Sequence, residues 1–325
     1  MKNNNSITIF RKIIAFFFIF LSAITIVFFA INLLMEPQIK KNIAIANQIE
    51  PNLWKRYLEF IKNLFIFNPG KIFSSELNNT NLSIFSLYFA QFKWTILFIS
   101  FIFLLGLIIG NILGIWSGYK FNKTPDFIIN LIVASISTIP LLIVAILAMT
   151  NSHIFGYPSQ FISNAKYTFL SLLVPTIVTS FGTISLFHSR ARKIIKETLT
   201  SNYYQFAISL GLNKFQLFKK QIFKNLLISE LQVIIPFFTL LFSSSLVVER
   251  IFSIPGHSVF ISYAFTKAEI NLIMFYFVFN FILILIFRLI NHIILTYLNP
   301  LQKIESKIKM QKKIFTLKGN LKYAK

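Results

Sequence analysis

The sequence predicts an all-α fold: a polytopic membrane helix bundle of six transmembrane helices, with one short amphipathic helix set in a polar loop. Three observations predict it. Of the 325 residues, 55% are hydrophobic and only 13% charged, with a mean hydropathy of +0.69, too little polar surface for a soluble chain of this length. Six apolar runs are long enough to cross a bilayer as helices. The polar intervals between them are basic. The net charge of +22 is scattered over several loops, as a membrane orientation signal is. It is not one stripe interleaved with stacking aromatics, so no nucleic acid partner is expected. With no cysteine, no disulfide, thiolate metal site or cysteine nucleophile is available.

In chain order, residues 1–34 form a polar N-terminus and the first span. Ile13 to Leu34 runs 22 residues without a charge. No small-x-small cleavage pattern follows, which argues for an uncleaved span. Residues 35–91 are mixed and too polar to span; Pro37, Pro51 and Pro69-Gly70 punctuate them. An amphipathic helix is expected near Leu53–Phe67, in a small extracytoplasmic element. Residues 92–298 hold the other five spans. The second, Phe92–Tyr119, carries Gly106, Gly110, Gly114 and Gly118, four of the ten glycines, along one helix face. Such a face lets another helix approach backbone to backbone, a packing role that need not line a pathway. The third span is Phe127–Met149, with Ser135, Ser137, Thr138 and Pro140 near its middle. The fourth, Tyr167–Phe187, carries Pro175, Thr176, Thr179 and Ser180. The fifth, Leu231–Val248, carries Pro236, Ser243, Ser244 and Ser245. The sixth is Ile270–Leu298, and residues 299–325 form a basic tail. Hydroxyls and prolines at membrane depth are tolerated where a helix faces protein or water. The three hydroxyl clusters are therefore candidate pathway lining, with helix–helix hydrogen bonding an equal alternative.

The polar segment from Arg190 to about Ile228 organises the chain. It carries eight Lys and Arg against Glu197 alone. Inside it Asn202 is placed to cap a short helix and Gln205, three residues on, to answer the cap. Tyr203, Phe206, Ala207 and Leu210 come next at helical spacing as one apolar stripe. Gly211 stands where a left-handed C′ residue belongs. With no core of its own in view, that face needs a partner protein or the bilayer surface. Six spans put both termini on one side. On that side fall 22 of the 32 Lys and Arg, which makes the termini and the 190–228 loop cytoplasmic. The lysines of the tail lie near anionic headgroups or are simply solvated.

The chemistry within the chain is sparse. It has no G-x-x-x-x-G-K-[ST] phosphate loop. Asp126, Glu230, Glu249 and Glu269 fall at span ends, which speaks against ion-coupled transport. His153, His188, His257 and His292 have no partner at metal-ligand spacing, so no metal is expected. A polytopic membrane hydrolase is the alternative class and would have to use His188 or His153. The remaining profile is a passive conduit driven by a separate motor.

At this point the residues resemble a known family. Asn202 to Leu212, Asn-Tyr-Tyr-Gln-Phe-Ala-Ile-Ser-Leu-Gly-Leu, is similar to the cytoplasmic coupling motif of ABC importer permeases of the oligopeptide/dipeptide/nickel group. Lys224-Asn225 resembles the Arg-Asn pair of that motif. Val247 to Gly256 is similar to the Val-Val-Glu-x-Val-Phe-x-x-Pro-Gly of the B-type member, through Glu249, Phe252, Pro255 and Gly256. Leu298-Asn299-Pro300 resembles the Leu-Asp-Pro that closes the last span. Two positions depart: Asn202 replaces an acid, and Ser229 replaces a proline after Lys224-Asn225, which leaves the approach angle of span five open. The resemblance implies a type I importer permease in the cell membrane. It implies a paired C-type permease, two cytoplasmic ABC ATPase subunits gripping the Asn202–Gly211 helix, and an extracytoplasmic binding protein delivering oligopeptide, dipeptide, nickel or another small solute. ATP and magnesium would be bound by the partner subunits, and this chain would hold no cofactor and catalyse nothing.

Overall fold

The computed structural model describes residues 3–74, 82–164 and 166–298, and every regular element among them is helical. The tail after Leu298 lies outside the described residues. In chain order the helices are α1 (Asn3–Lys41), α2 (Ile43–Ala46), α3 (Leu53–Phe65), α4 (Ile84–Tyr119), α5 (Thr124–Thr138), α6 (Leu141–Thr150) and α7 (Ser152–Phe155). They continue with α8 (Thr168–Leu199), α9 (Asn202–Ser209), α10 (Lys214–Leu217), α11 (Phe223–Ile251), α12 (His257–Thr266) and α13 (Ile270–Leu298). A π-helical turn, Phe218–Ile222, joins α10 to α11. Five helical stretches are long and apolar enough to cross a membrane: 16–41, 84–119, 168–199, 214–251 and 270–298. The pair α5 and α6 makes a sixth if counted as one span.

Three expectations need correcting. The third span is not continuous; it breaks between Thr138 and Leu141. Pro140 lacks an N–H and its ring disfavours the α conformation at Ile139, so neither can sit inside a helix without loss. The segment 190–228 is not an extended loop either. α8 carries Arg190 to Leu199, and a helix resumes at Lys214, so only residues 200–213 lie between the two long helices. Charged side chains at 190–199 and 214–224 hide this from a hydropathy reading, because a helix leaving the bilayer keeps its backbone bonds while its surface turns polar. Glu230, in turn, lies well inside the run 214–251 and is buried.

The chain clusters into two compact units. The first comprises residues 1–103, 139–179 and 240–285. Its core is aromatic. Tyr88 of α4 meets Phe92, Phe260, Phe275 and Phe279 with ring centroids 4.9–5.3 Å apart, and Phe28 of α1 stacks on Phe60 of α3 at 5.0 Å. α3 begins where expected, with Asn52 accepting from the Trp54 and Lys55 amides. The stretch after it is strapped to the start of α13. The buried Glu269 carboxylate accepts from the Phe73 and Ser74 amides, and Asn271 Nδ2 donates to the Lys71 carbonyl.

The second unit comprises, among the described residues, 104–138, 180–239 and 286–298. Here the glycine face of α4 packs on α8 as expected. A Cβ on Gly110 would lie 2.7 Å from the Ile184 carbonyl, on Gly114 2.6 Å from Ala191 Cβ, and on Gly118 2.6 Å from Ile195 Cβ; one on Gly106 would collide with Thr183. Thr183, Phe187, Ala191 and Ile195 recur every four residues along α8. Two four-residue ridges therefore meet without side chains between the backbones on one side. The join is locked by an ion pair between a buried carboxylate and a half-buried guanidinium. Arg192 of α8 forks onto Asp126 of α5 with bonds of 2.6 and 2.7 Å, and Asp126 also accepts from Ser117, the Asn122 amide and Asn130. Satisfying every lone pair is what makes a buried carboxylate tolerable.

Candidate functional site

Two sites matter, one in each unit. In the second unit the site is α9 together with the turn into α10. Ser201, not Asn202, occupies the N-cap position; Asn202 is the first helical residue, and Ser201 makes no side-chain cap bond. The Tyr204 and Gln205 amides both reach the Ser201 carbonyl, which starts the helix one residue early. Gln205 does answer backward, but to the Leu199 carbonyl at 2.9 Å. Gly211 has φ +75°, the left-handed residue the spacing demands, with its amide on the Ile208 carbonyl. Asn213 then caps α10 in a reciprocal box with Gln216.

The helix also has a core of its own. Tyr204 and Ala207 are buried with Ile195, Leu217 and Ile222, worth roughly 1.5–3 kcal/mol for a side chain the size of Tyr204. Of the expected stripe only Ala207 belongs to this inner face. Tyr203, Phe206 and Leu210 are 46%, 65% and 64% exposed, and Phe215 beside them 73%. Tyr204 decides the outcome: it lies one residue off the predicted stripe, and its ring anchors α9 so that the stripe points outward. Tyr203 is held in place by Asn225, whose Nδ2 donates to its hydroxyl at 2.8 Å. Below them lies an open groove of about 740 Å³, lined among others by Glu197, Tyr203, Lys220, Lys224, Asn225 and Leu298. Ser229, at the departed proline position, receives Arg190 on its carbonyl at 2.9 Å and on its hydroxyl at 3.1 Å. With Ser229 in place of proline the run 214–251 stays helical.

In the first unit the site is the turn after α11. Glu249 is fully buried. Its Oε1 accepts from Thr95 Oγ1 at 2.7 Å and its Oε2 from the Ser258 amide at 3.0 Å, while Thr95 Oγ1 accepts from the His257 amide at 2.8 Å. The Glu249 carbonyl takes the Ile254 amide, and the Phe252 carbonyl takes the Phe161 amide. Phe252 is fully buried and Pro255 half-buried. A Cβ at Gly256 would lie 2.5 Å from the Glu249 carboxylate and 2.6 Å from Thr95 Oγ1. The four residues of the Glu-x-x-Phe-x-x-Pro-Gly pattern thus build one object. The acid caps the start of α12, Phe252 fills the turn, and Gly256 leaves room for the carboxylate. Two of its partners, Thr95 and Ser258, carry no sequence signal that would have found them.

His257 has neighbours that spacing did not reveal. Ser245 Oγ lies 3.3 Å and Glu249 Oε2 3.8 Å from its Nε2. Burial pushes the imidazole down to about 3, so it is neutral near pH 7. Both neighbours approach the same nitrogen, and all three residues are fully buried. A nucleophile–base–acid relay needs the two on opposite nitrogens within reach of substrate. His188 is buried against the glycine face.

The hydroxyl clusters divide. Ser135, Ser137, Thr138 and Ser243 are exposed, Ser244 is half-buried, and Thr176, Thr179, Ser180 and Ser245 are buried. Ser137, Thr138, Thr176, Thr179, Ser244 and Ser245 all donate to carbonyls three or four residues back in their own helices. Such back-bonding satisfies a hydroxyl without a partner helix.

Residues 110–304 match the family model described as binding-protein-dependent transport system inner membrane component. The oligopeptide transport system permease protein OppB of Mycoplasma pneumoniae is 26% identical over 267 residues, 77% of this chain and 68% of that protein. The dipeptide transport system permease protein DppB of Lactococcus lactis subsp. cremoris is 23% identical over 256 residues, 78% of this chain and 82% of that protein. A crystal structure of an amino acid ABC transporter with histidines aligns with 69% of this chain and 97% of its own, at a TM-score of 0.49 and 14% identity. The family model covers more than half of the sequence and includes both the α9 segment and the Glu249 turn, and the chain belongs to the binding-protein-dependent transport system inner membrane components.

Proposed function

We propose that this chain is the B-type, pathway-forming permease subunit of an ATP-driven importer for oligopeptides or dipeptides. Its transport partner is a C-type permease, its motor a pair of cytoplasmic ABC ATPases that hold the ATP and magnesium, and its cargo comes from an extracytoplasmic binding protein. The peptide assignment rests on the names of its relatives. The observation that carries the coupling role is the division of α9: Tyr204 and Ala207 fasten it, while Tyr203, Phe206 and Leu210 stand exposed beside a left-handed Gly211. A small rigid helix presenting aromatic side chains suits a groove on a partner protein. Nucleotide-driven closure of the ATPases would then pull on α8 and α11 through residues 200–213, shifting the spans between two states.

The charge bias supports the sidedness: 22 of the 32 Lys and Arg lie at the termini, the 120–123 turn, the α9 segment with its flanking helices, and at Arg288 in the second half of α13. Of the hydroxyls, the exposed Ser135, Ser137, Thr138 and Ser243 are the proposed lining, while the buried Thr176, Thr179, Ser180 and Ser245 fit the alternative role in helix packing. The test is co-purification. Phe206→Asp and Gly211→Val should insert normally and lose their ATPase subunits. Phe206 is exposed, so a charge there disturbs docking rather than folding, whereas a β-branched residue at φ +75° deforms the helix end. ATPases retained at wild-type amounts by both variants would overturn the coupling role.

A further inference from the structure

The amphipathic helix α3 has no part in the proposed transport cycle. It has three sides. Tyr57 and Phe60 face α1: the Tyr57 hydroxyl bonds Thr25 at 2.8 Å, and Phe60 stacks on Phe28. Arg56 on the same side is tied to Asn32 and the Glu50 carbonyl. Lys55, Glu59 and Lys62, spaced by four and three, form a polar edge. Between these runs a third stripe, Trp54, Leu58 and Phe65, spaced by four and seven, and 65%, 65% and 60% exposed. The chain beyond it exposes Ile66 and Phe67 as well.

The depth of this stripe is set by what Trp54 touches. Its ring sits edge-on to Phe29 at 5.2 Å. Phe29 lies within the charge-free stretch 13–34 of α1, at the level of hydrocarbon in any bilayer that α1 crosses. It also lies between Ile26 and Leu33, 69% and 59% exposed, on one face of α1. The exposed apolar side of the span thus passes without interruption from Ile26 and Leu33 through Phe29 onto Trp54 and the stripe of α3. A surface continuous with the outside of a span has acyl chains against it, and long cationic side chains at its edge extend to the headgroups.

We propose that α3 is a membrane-embedded in-plane helix whose Trp54–Leu58–Phe65 stripe lies against phospholipid acyl chains, in the leaflet at the Lys41 end of α1. The helix then acts as a collar that fixes the depth and tilt of the first span. The inference stands on packing alone and does not depend on cargo or motor.

The absence of native cysteine makes the test direct. Leu58→Cys, Phe65→Cys and Glu59→Cys are each labelled with NBD in the full-length chain, purified with its accompanying subunits and reconstituted in phosphatidylcholine/phosphatidylglycerol vesicles. Shallow doxyl-labelled phosphatidylcholine should quench the 58 and 65 probes by about half, with blue-shifted emission and no response to iodide, while the 59 probe responds to iodide. Two stripe positions are used so that failure of one variant to assemble leaves the other to decide. Stripe probes quenched by iodide and not by doxyl lipid would overturn the proposal in favour of a water-facing helix. Probes quenched by neither would overturn it in favour of a protein partner covering the stripe.

Discussion

Single side chains in this protein are placed by what their polar atoms can reach. Gly256 is required because a carboxylate fills the space of its Cβ. Gly256→Ala should cost about 1–3 kcal/mol, read as a lowered thermal midpoint in nanodiscs, because the buried Glu249 cannot retreat without abandoning Thr95 or the Ser258 amide. Asp126 and Arg192 are a second such case. Arg192→Met leaves a buried carboxylate unpaired and should cost about 3–5 kcal/mol in the same assay. Glu269 gives a pH signature. Burial raises its carboxyl above the ordinary range, although the Phe73 and Ser74 amides pull it back. The folded chain therefore holds a proton that the unfolded chain releases. That stabilisation is complete below the unfolded value, near 4.5, and is lost as pH rises through the folded one. As pH rises above that ordinary value wild type should lose stability on this account, and Glu269→Gln should show a flatter profile over the same rise.

Helices are where periodicity succeeds and where it slips. The four-residue glycine repeat predicts a face for close approach, and α8 occupies that face. Gly114→Leu should leave α4 inserted but separate it from α8, measured as lost disulfide crosslinking between cysteines introduced at 115 and 195. For α9 the spacing predicts a single apolar stripe, and the helix instead has two faces. Tyr204, which falls outside the stripe, is the anchor. Tyr204→Ala should release α9, with amide exchange at 203–209 faster by about tenfold or more, since truncating a buried aromatic costs about 3–5 kcal/mol. Both stripes have the same period, so counting cannot say which one turns inward; that depends on where Ile195, Leu217 and Ile222 stand. The break at Pro140 carries a local signal that a long apolar run outweighs.

For the molecule as a whole, hydropathy and charge bear most of the weight. The lengths of the apolar runs recover the first, second, fourth, fifth and sixth spans, with ends displaced wherever a helix continues past the bilayer as a charged surface. The proposed orientation makes a compact prediction. A single cysteine at position 205 should react with a membrane-impermeant maleimide only from the cytoplasmic side, and one at 63 only from the outside. The reverse pattern would separate α9 from any cytoplasmic motor.

Local chemistry is enough to establish that this chain is a bundle of membrane helices, that Gly211 ends a short helix between two spans, and that a glycine face joins α4 to its neighbour. Each rests on a property of one segment: its transfer free energy, its backbone conformation, its repeat. The enclosure of Glu249 by Thr95 and Ser258, the fork of Arg192 on Asp126, and the choice of Tyr204 over Tyr203 as the buried ring come only with the packed chain. They join residues far apart in sequence, and which partner a polar or aromatic group finds depends on what packing brings within about 3–4 Å of it.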